Sequence, residues 1–357
     1  MVCSFFLYRR MKKQVIVDVA KSIGIVLVVL GHALPEGYIH QLIYSFHMPL
    51  FFFLSGYFFS STYFKEKVLF LKKRLKRLYL PFLLFSACFL LLHNLFLKWH
   101  FYAADQVDYS LSETLHAFLL TATRMSVTEP LLAVYWFLKD LLIASCLVLF
   151  LLAFVRSLWK NKWGEWGVLL LLLCLSLLVD KWGPAIGVYS HTLLAAAYYL
   201  FGYRYKKMQI SFYHGGSSLL LSTFILCLWV YCCGEPFSNG MLGLSPTMLP
   251  LYFLASLVGI YTLLGWSALL SRSSLAACFC YVGQRTLWVF TLHLLAFKLV
   301  SFGILLLYQL PLTRLSEGPI LHVIGITFWW AYLVAGVCLP LFVLFLFRSI
   351  GLNRIGR

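Results

Sequence analysis

Three ionisable side chains lie within a long apolar stretch near the N-terminus. The stretch from Val15 to Phe59 consists of two apolar runs joined by a Pro-Glu-Gly turn, and the first run carries Asp18, Lys21 and His32. On an α-helix, Lys21 and His32 fall within about 20° of one face and about 16 Å apart, and Asp18 lies one turn from Lys21. The spacing predicts a polar stripe, with an ion pair near one end and an imidazole near the other.

The imidazole of His32 is the group best suited to proton transfer near neutral pH. A general base that deprotonates a hydroxyl and a proton relay in a transporter are both compatible with one histidine. His47 lies nearby across the predicted hairpin, and Ser55 follows it in the second run. Asp18 lies about 21 Å of helix from His32 and cannot orient that imidazole. Asp18 and Lys21 either neutralise each other structurally or form part of a site.

A strongly basic segment, KEKVLFLKKRLKRLYLP, follows the second apolar run. Arg74 and Arg77 are three positions apart on the predicted helix and could hold one anionic group together. The segment could therefore bind anionic lipid headgroups or a phosphorylated cofactor. The alternative is that these basic residues serve only to set membrane topology.

Two later motifs also carry polar groups within apolar surroundings. The stretch GQRTLWVFTLHLLAFKL contains His293 and Lys298, which are about 140° apart on a helix and do not share a face. His293 is either a core histidine or a functional one. Trp136 begins the stretch WFLKDLL. It is either an interfacial anchor of the kind common at membrane surfaces or a substrate contact. Glu129, just before it, is predicted to be an outer-rim carboxylate.

The ten cysteines show no paired spacing, and neither a disulfide framework nor a metal site is predicted.

The composition is that of a membrane protein. The 357 residues are 62% hydrophobic and 11% charged, with a mean hydropathy of +0.88. A formal charge of +17 would indicate nucleic-acid binding in a soluble chain, but here the basic residues lie between apolar runs. The sequence therefore predicts an all-α, polytopic integral membrane protein with a bilayer and no nucleic acid as partner. The ten predicted spans cover residues 15–34, 40–60, 79–98, 131–155, 165–180, 191–204, 215–233, 247–270, 285–307 and 320–347.

The loops predict the orientation. Most of the 29 Lys and Arg residues fall on one side of the ten spans, which puts both termini in the cytoplasm. Residues 1–13 would be a cytoplasmic tail, 14–348 one membrane domain and 349–357 a second tail. Residues 1–10 could be a start-site extension, because Met11 begins a plausible alternative start. The connection from Trp99 to Pro130 contains a capping-box pattern and is predicted to include an interfacial amphipathic helix.

These motifs together resemble a known family. IVDVAKSIGIVLVVLGH followed by FHMPLFFFLSGYFF resembles the opening of the membrane-bound acyltransferase-3 family, closest to its fucose 4-O-acetylase-like sugar acetyltransferases. RLKRLYLP is similar to the family's Arg-x-x-Arg segment, WFLKDLL to its Trp-Phe-Leu segment, and GQRTLWVFTLHLL to its late span ending in histidine. The matches are ordered along nearly the whole chain.

The resemblance implies a ten-helix bundle that moves an acyl group, usually acetyl, from cytoplasmic acetyl-CoA to a carbohydrate hydroxyl at the outer side of a bacterial inner membrane. His32 matches the family's essential histidine, and Arg74 and Arg77 match its arginine pair. Many members carry arginine where Lys21 stands, and lysine keeps the charge but lacks the bidentate fork.

The assignments that follow are His32 as catalytic residue and Arg74, Arg77, Lys21 and Asp18 as cofactor contacts, with His47, Ser55, Trp136 and His293 as substrate contacts and no metal. A polysaccharide transporter or flippase is the alternative function. It accounts for the spans and buried charges equally well, but not for the Arg-x-x-Arg loop beside the first helix.

Overall fold

A computed structural model describes residues 2–103, 105–158, 163–179, 189–213, 215–322 and 324–349, with side chains from Lys13 onward. Every regular element in these residues is helical. The predicted tail 349–357 lies almost entirely outside the described residues. The described α-helices are α1 (Val2–Ala33), α2 (Tyr38–Tyr44), α3 (His47–Tyr57), α4 (Lys67–Arg74), α5 (Leu80–Leu91), α6 (His93–Lys98), α7 (Leu111–Arg124), α8 (Trp136–Leu158), α9 (Trp163–Leu178), α10 (Ser190–Lys207), α11 (Gly216–Cys233), α12 (Leu249–Leu270), α13 (Ala276–Gly283), α14 (Thr286–Leu307), α15 (Ile324–Thr327) and α16 (Trp329–Ser349).

Membrane-spanning length is reached by fewer helices than the sequence predicts. Six of the described helical segments are long and apolar enough to cross a bilayer, namely Lys13–Ala33, Pro130–Leu158, Gly216–Cys233, Pro246–Leu270, Thr286–Leu307 and Trp329–Ser349. The predicted span 40–60 is divided into α2 and α3 because Phe46 leaves helical geometry. The span 79–98 is divided at Leu92, and α9 has only 16 residues. Ten spans and the sides of the termini stay predictions.

The chain forms two compact units. The first contains Met1–Val28, Glu36–Leu71 and Asp140–Gln284, and the second contains Val29–Pro35, Lys72–Lys139 and Arg285–Arg357. In the first unit, α3 and α10 pack backbone to backbone. A Cβ on Gly56 would lie 1.8 Å from the carbonyl oxygen of Tyr199, and one on Gly202 would lie 2.0 Å from that of Phe53. Small residues permit such close crossings where lipid provides no hydrophobic driving force between helices.

A charged network joins three helix ends of the first unit. Glu165 at the start of α9 is buried and accepts hydrogen bonds from Arg156 of α8 and from Arg204 and Lys207 of α10. The guanidinium of Arg156 also stacks on Phe64, 3.9 Å from the ring centroid. One carboxylate thus holds three cations together, so the network depends on Glu165 being charged.

In the second unit, α7 returns along α5 and α6 as the other half of a hairpin. The side chain of Asn94 in α6 bonds both the N–H and the C=O of Tyr109, just before α7. At the other end, the Tyr79 hydroxyl donates to the carbonyl of Ala122 over 2.7 Å. The predicted capping box is present at Ser110 and Glu113. The helix and its cap are confirmed. That α7 lies at a membrane interface stays a prediction.

The segment after α14 folds back against that helix. The chain turns at Gln309, whose φ of 52° is left-handed, and enters a short 3-10 helix, Leu312–Glu317. The buried ammonium group of Lys298 in α14 donates to the carbonyls of Leu315 and Gly318. A lysine in the interior of a spanning helix therefore fixes the returning segment 308–318 to the middle of α14.

Candidate functional site

The second unit brings two predicted site residues together. His32 is in the last turn of α1, and His293 is in the second turn of α14. Their ring centroids are 5.3 Å apart, with the planes tilted by 33°. His293 lies seven residues after the start of α14, or about 10 Å along that helix, whereas His32 lies one residue before the end of α1. These two imidazoles form the candidate active site.

The hydrogen bonds of His293 fix which of its nitrogens is protonated. Nδ1 lies 2.9 Å from the carbonyl oxygen of Phe290 and 3.1 Å from that of Val289, and carbonyls only accept. Nδ1 therefore carries the hydrogen, and Nε2 keeps its lone pair. His293 is fully buried, and Nε2 has no hydrogen-bond partner among the described residues. A buried acceptor without a donor is costly, and such an atom in a native structure calls for a ligand, a water or a function.

Close packing of α16 holds the histidine pair in place. A Cβ on Gly336 would lie 2.6 Å from Val29 Cγ1 and 2.8 Å from Phe297 Cε1. Phe297 in turn meets the ring of His293 edge-to-face, with centroids 5.8 Å apart. Only glycine lets α16 approach this closely, so Gly336 helps to keep the end of α1 against α14.

A buried hydrogen bond ties the start of α8 to the same turn of α14. The hydroxyl groups of Tyr135 and Thr291 are 2.8 Å apart, and both residues are fully buried. The Tyr135 ring also lies parallel to that of Phe290, with centroids 6.0 Å apart. Trp136 is the next residue, half-buried, and its ring packs near Phe137. The sequence indicated Trp136 but not Tyr135. The role of Tyr135 depends on a hydrogen bond to Thr291, which is distant in the sequence and comes close only in the folded chain.

The arginine pair lies at a change of helix type. Arg74 ends α4 and is half-buried, whereas Arg77 is exposed within a π-helical turn, Leu75–Tyr79. The prediction that Arg74 and Arg77 could hold one anion together assumed the spacing of an α-helix. The wider π turn changes the relative directions of two side chains three positions apart. π turns occur frequently at functional sites.

Asp18 and Lys21 form the predicted ion pair in the first unit. Lys21 Nζ lies 3.1 Å from Asp18 Oδ1, and the amide of Gln284 donates to Asp18 Oδ2 over the same distance. The ammonium also lies 5.2 Å from the centroid of the Phe58 ring. Asp18 is buried and both of its oxygens are bonded, so its charge is compensated within this unit.

Comparison with known proteins gives one decisive match. Residues 15–355 match the acyltransferase domain of the acyltransferase-3 family. The chain belongs to the acyltransferase-3 family. Comparison with curated proteins and with solved structures gives no match. Membership supports a multi-pass membrane acyltransferase; the sugar acetyltransferase branch stays a prediction.

Two further predicted substrate contacts of this acyltransferase lie in the first unit. His47 is buried at the start of α3, where Nδ1 donates to the carbonyl of Ile43 over 2.8 Å and the Tyr44 ring lies 4.8 Å away. Ser55 is half-buried on the same helix. His47 thus has the surroundings of a core histidine, and the substrate roles of both residues stay predictions.

Glu129 is not the rim carboxylate that the sequence predicted. It is buried, accepts from the hydroxyl of Tyr102 over 2.6 Å, and lies 3.2 Å from His93 Nδ1. His93 Nε2 bonds the carbonyl of Val107, and the Tyr109 ring stacks on the imidazole at 3.8 Å. Burial raises the pKa of Glu129, and the hydrogen bond from Tyr102 and the nearby His93 oppose that rise. The sequence missed this cluster because its members meet only once the loop closes.

Metal ligation finds no support in the described residues. No group of three or more His, Cys, Asp or Glu side chains among them could hold a metal ion. Imidazoles such as those of the histidine pair can transfer protons or act as nucleophiles.

Proposed function

We propose that the protein is a membrane O-acyltransferase that moves an acetyl group from acetyl-CoA to a carbohydrate hydroxyl, at a site formed by His32 and His293. The observation that carries this proposal is the contact between half-buried His32 and buried His293 in a chain of the acyltransferase-3 family. His32 would take the proton of the acceptor hydroxyl, whose oxygen attacks the thioester carbon as the carbon–sulfur bond breaks. The proton then passes to the CoA thiolate, leaving an ester and free CoA.

A covalent route uses the same groups. In that route an imidazole nitrogen of His32 attacks the thioester carbon, the carbon–sulfur bond breaks and CoA leaves as the thiolate. The acceptor hydroxyl then attacks the acyl-imidazole, which frees His32, and the hydroxyl proton passes to the thiolate. Both routes need the unprotonated form of one imidazole nitrogen. The lone pair on His293 Nε2 can accept one hydrogen bond from an N–H or O–H group that enters the site.

The donor would bind through its phosphates. CoA carries several phosphate charges, and Arg74 and Arg77 supply guanidinium groups suited to such anions. We propose that they hold the donor at the cytoplasmic face of a bacterial inner membrane, with both termini on that side and Lys21 and Asp18 as further donor contacts. The excess of basic residues in the corresponding loops supports this orientation.

The proposal is tested by a His32→Ala variant supplied with radiolabelled acetyl-CoA in native membranes. Transfer of label to membrane glycans should fall to background, because the base or nucleophile is lost, while the variant should still bind acetyl-CoA. His322→Ala is a matched control, since this histidine is exposed in the same unit. Transfer by His32→Ala at the wild-type rate would refute the assignment, and export of unlabelled glycan without transfer would favour the transporter.

A further inference from the structure

A cavity of about 470 Å³ opens in the second unit, and polar side chains stand among the residues that line it. One wall comes from the end of α6 and the loop after it, with Lys98, His100, Gln106 and Asp108. The other wall comes from the 3-10 helix after α14, with Thr313 and Ser316. A cavity of this size falls within the range that small-molecule ligands occupy.

The loop wall is held rigid from beneath. Tyr102 lines the cavity, but its hydroxyl is bonded to the buried Glu129. His93 and Asn94 of α6 bond backbone groups of Val107 and Tyr109, on either side of Asp108. His100 at the rim has a φ of 58°, a left-handed conformation that is uncommon for a residue with a side chain. This residue closes the C-terminus of α6, where the N–H of Phe101 donates to the carbonyl of Phe96 over 2.8 Å.

The opposite wall is connected to the histidine pair through α14. Ser316 follows Leu315, whose carbonyl accepts from Lys298. Lys298 is five residues beyond His293, or about 7.5 Å along the helix. The returning segment thus brings the cavity wall back along α14 toward the candidate active site.

The chemistry of the lining matches a ligand rich in hydroxyl groups. The carboxylate of Asp108 and the amide of Gln106 offer acceptors and donors, and the hydroxyls of Thr313 and Ser316 offer both. Lys98 and His100 add cationic or donor groups at the rim. An acyl chain would leave these groups without partners and is disfavoured there, whereas a sugar ring could bond several of them at once.

We propose that this cavity is the acceptor subsite, which binds one or two sugar rings of the carbohydrate that receives the acyl group; the inference rests on the proposed function. Asp108 and Thr313, on opposite walls, hold ring hydroxyls and determine which acceptor is used.

The test is direct binding by saturation-transfer NMR, with the methyl glycosides of a hexose, an N-acetylhexosamine and a hexuronic acid as probes. The protein is held in a detergent without a sugar headgroup, since a glycosidic detergent could fill the cavity itself. Asp108→Asn combined with Thr313→Val should weaken binding of the preferred glycoside at least tenfold. Asp105→Asn is the matched control, because Asp105 is exposed in the same loop and does not line the cavity.

The outcomes separate this inference from the proposed function. Glycoside binding that is lost in the double variant and kept in Asp105→Asn supports the acceptor subsite. Absence of glycoside binding, or binding that the double variant leaves unchanged, overturns it. A parallel thermal-shift titration with acetyl-CoA tests the proposed function independently. Stabilisation by acetyl-CoA without glycoside binding would refute only the acceptor subsite. Glycoside binding without stabilisation by acetyl-CoA would refute only the assignment of acetyl-CoA as donor.

Discussion

His293 differs from an ordinary core histidine in one atom. Its Nδ1 is bonded to backbone carbonyls, as is common in helices, but Nε2 is buried without a hydrogen-bond partner among the described residues, in a ring that lies 5.3 Å from that of His32. His47 offers a useful contrast, because it also donates to a carbonyl one turn earlier yet lies beside Tyr44 in the first unit. We therefore expect His293, and not His47, to affect the transfer rate.

Replacing His293 with phenylalanine tests the role of that lone pair. His293→Phe keeps an aromatic ring in the pocket but removes the acceptor, so kcat should fall about tenfold or more, with little change in the KM for acetyl-CoA. His322→Phe, at an exposed position in the same unit, should leave both values unchanged. A wild-type rate for His293→Phe would show that the residue only fills the core.

At the scale of elements, local patterns predicted more than long-range ones. The Asp18–Lys21 pair and the Ser110–Glu113 capping box were both predictable, because each depends on residues three apart on one helix. The contact between His32 and His293 was not, since periodicity tells which face a residue occupies but not which helix meets that face. The break between α2 and α3, the π turn at Leu75–Tyr79 and the return of segment 308–318 also lack a strong sequence signal, because long apolar runs look continuous.

The returning segment after α14 depends on Lys298. In Lys298→Met the methionine side chain has a similar length but cannot donate to the carbonyls of Leu315 and Gly318. Loss of these hydrogen bonds should lower the local stability of the segment by about 1–3 kcal/mol. Hydrogen exchange of residues 309–318 should therefore become about tenfold faster or more, with the rest of the unit unchanged. Lys139→Met, a half-buried lysine at the start of α8, is the control. Unchanged exchange in Lys298→Met would contradict this account of the segment.

At the scale of the whole molecule, charge is distributed in two ways. The basic residues of the Lys72–Arg77 segment are mostly exposed, whereas Arg156, Arg204 and Lys207 surround the buried Glu165. The first set fits ligand binding, and the second holds α8, α9 and α10 together in the first unit.

Removing the central carboxylate should therefore destabilise the protein. Glu165→Gln leaves three clustered cations without a counter-charge, and loss of a buried partner costs about 3 kcal/mol or more, although the exposure of Lys207 reduces the share of that residue. The melting temperature in detergent should fall clearly, whereas Glu66→Gln, at an exposed position, should leave it unchanged. Equal melting temperatures for the two variants would show that the network contributes little.

Binding of an acyl-CoA donor through Arg74 and Arg77 can be measured by titrating purified protein with acetyl-CoA in a thermal-shift assay, beside an Arg74→Ala/Arg77→Ala variant. A ligand that binds only the folded state stabilises it by about 2.7 kcal/mol at a hundred times its Kd. We expect the melting temperature of the wild type to rise with the logarithm of acetyl-CoA concentration, and we expect this rise to be lost in the variant. No shift in folded wild-type protein, or an equal shift in the variant, would contradict this expectation.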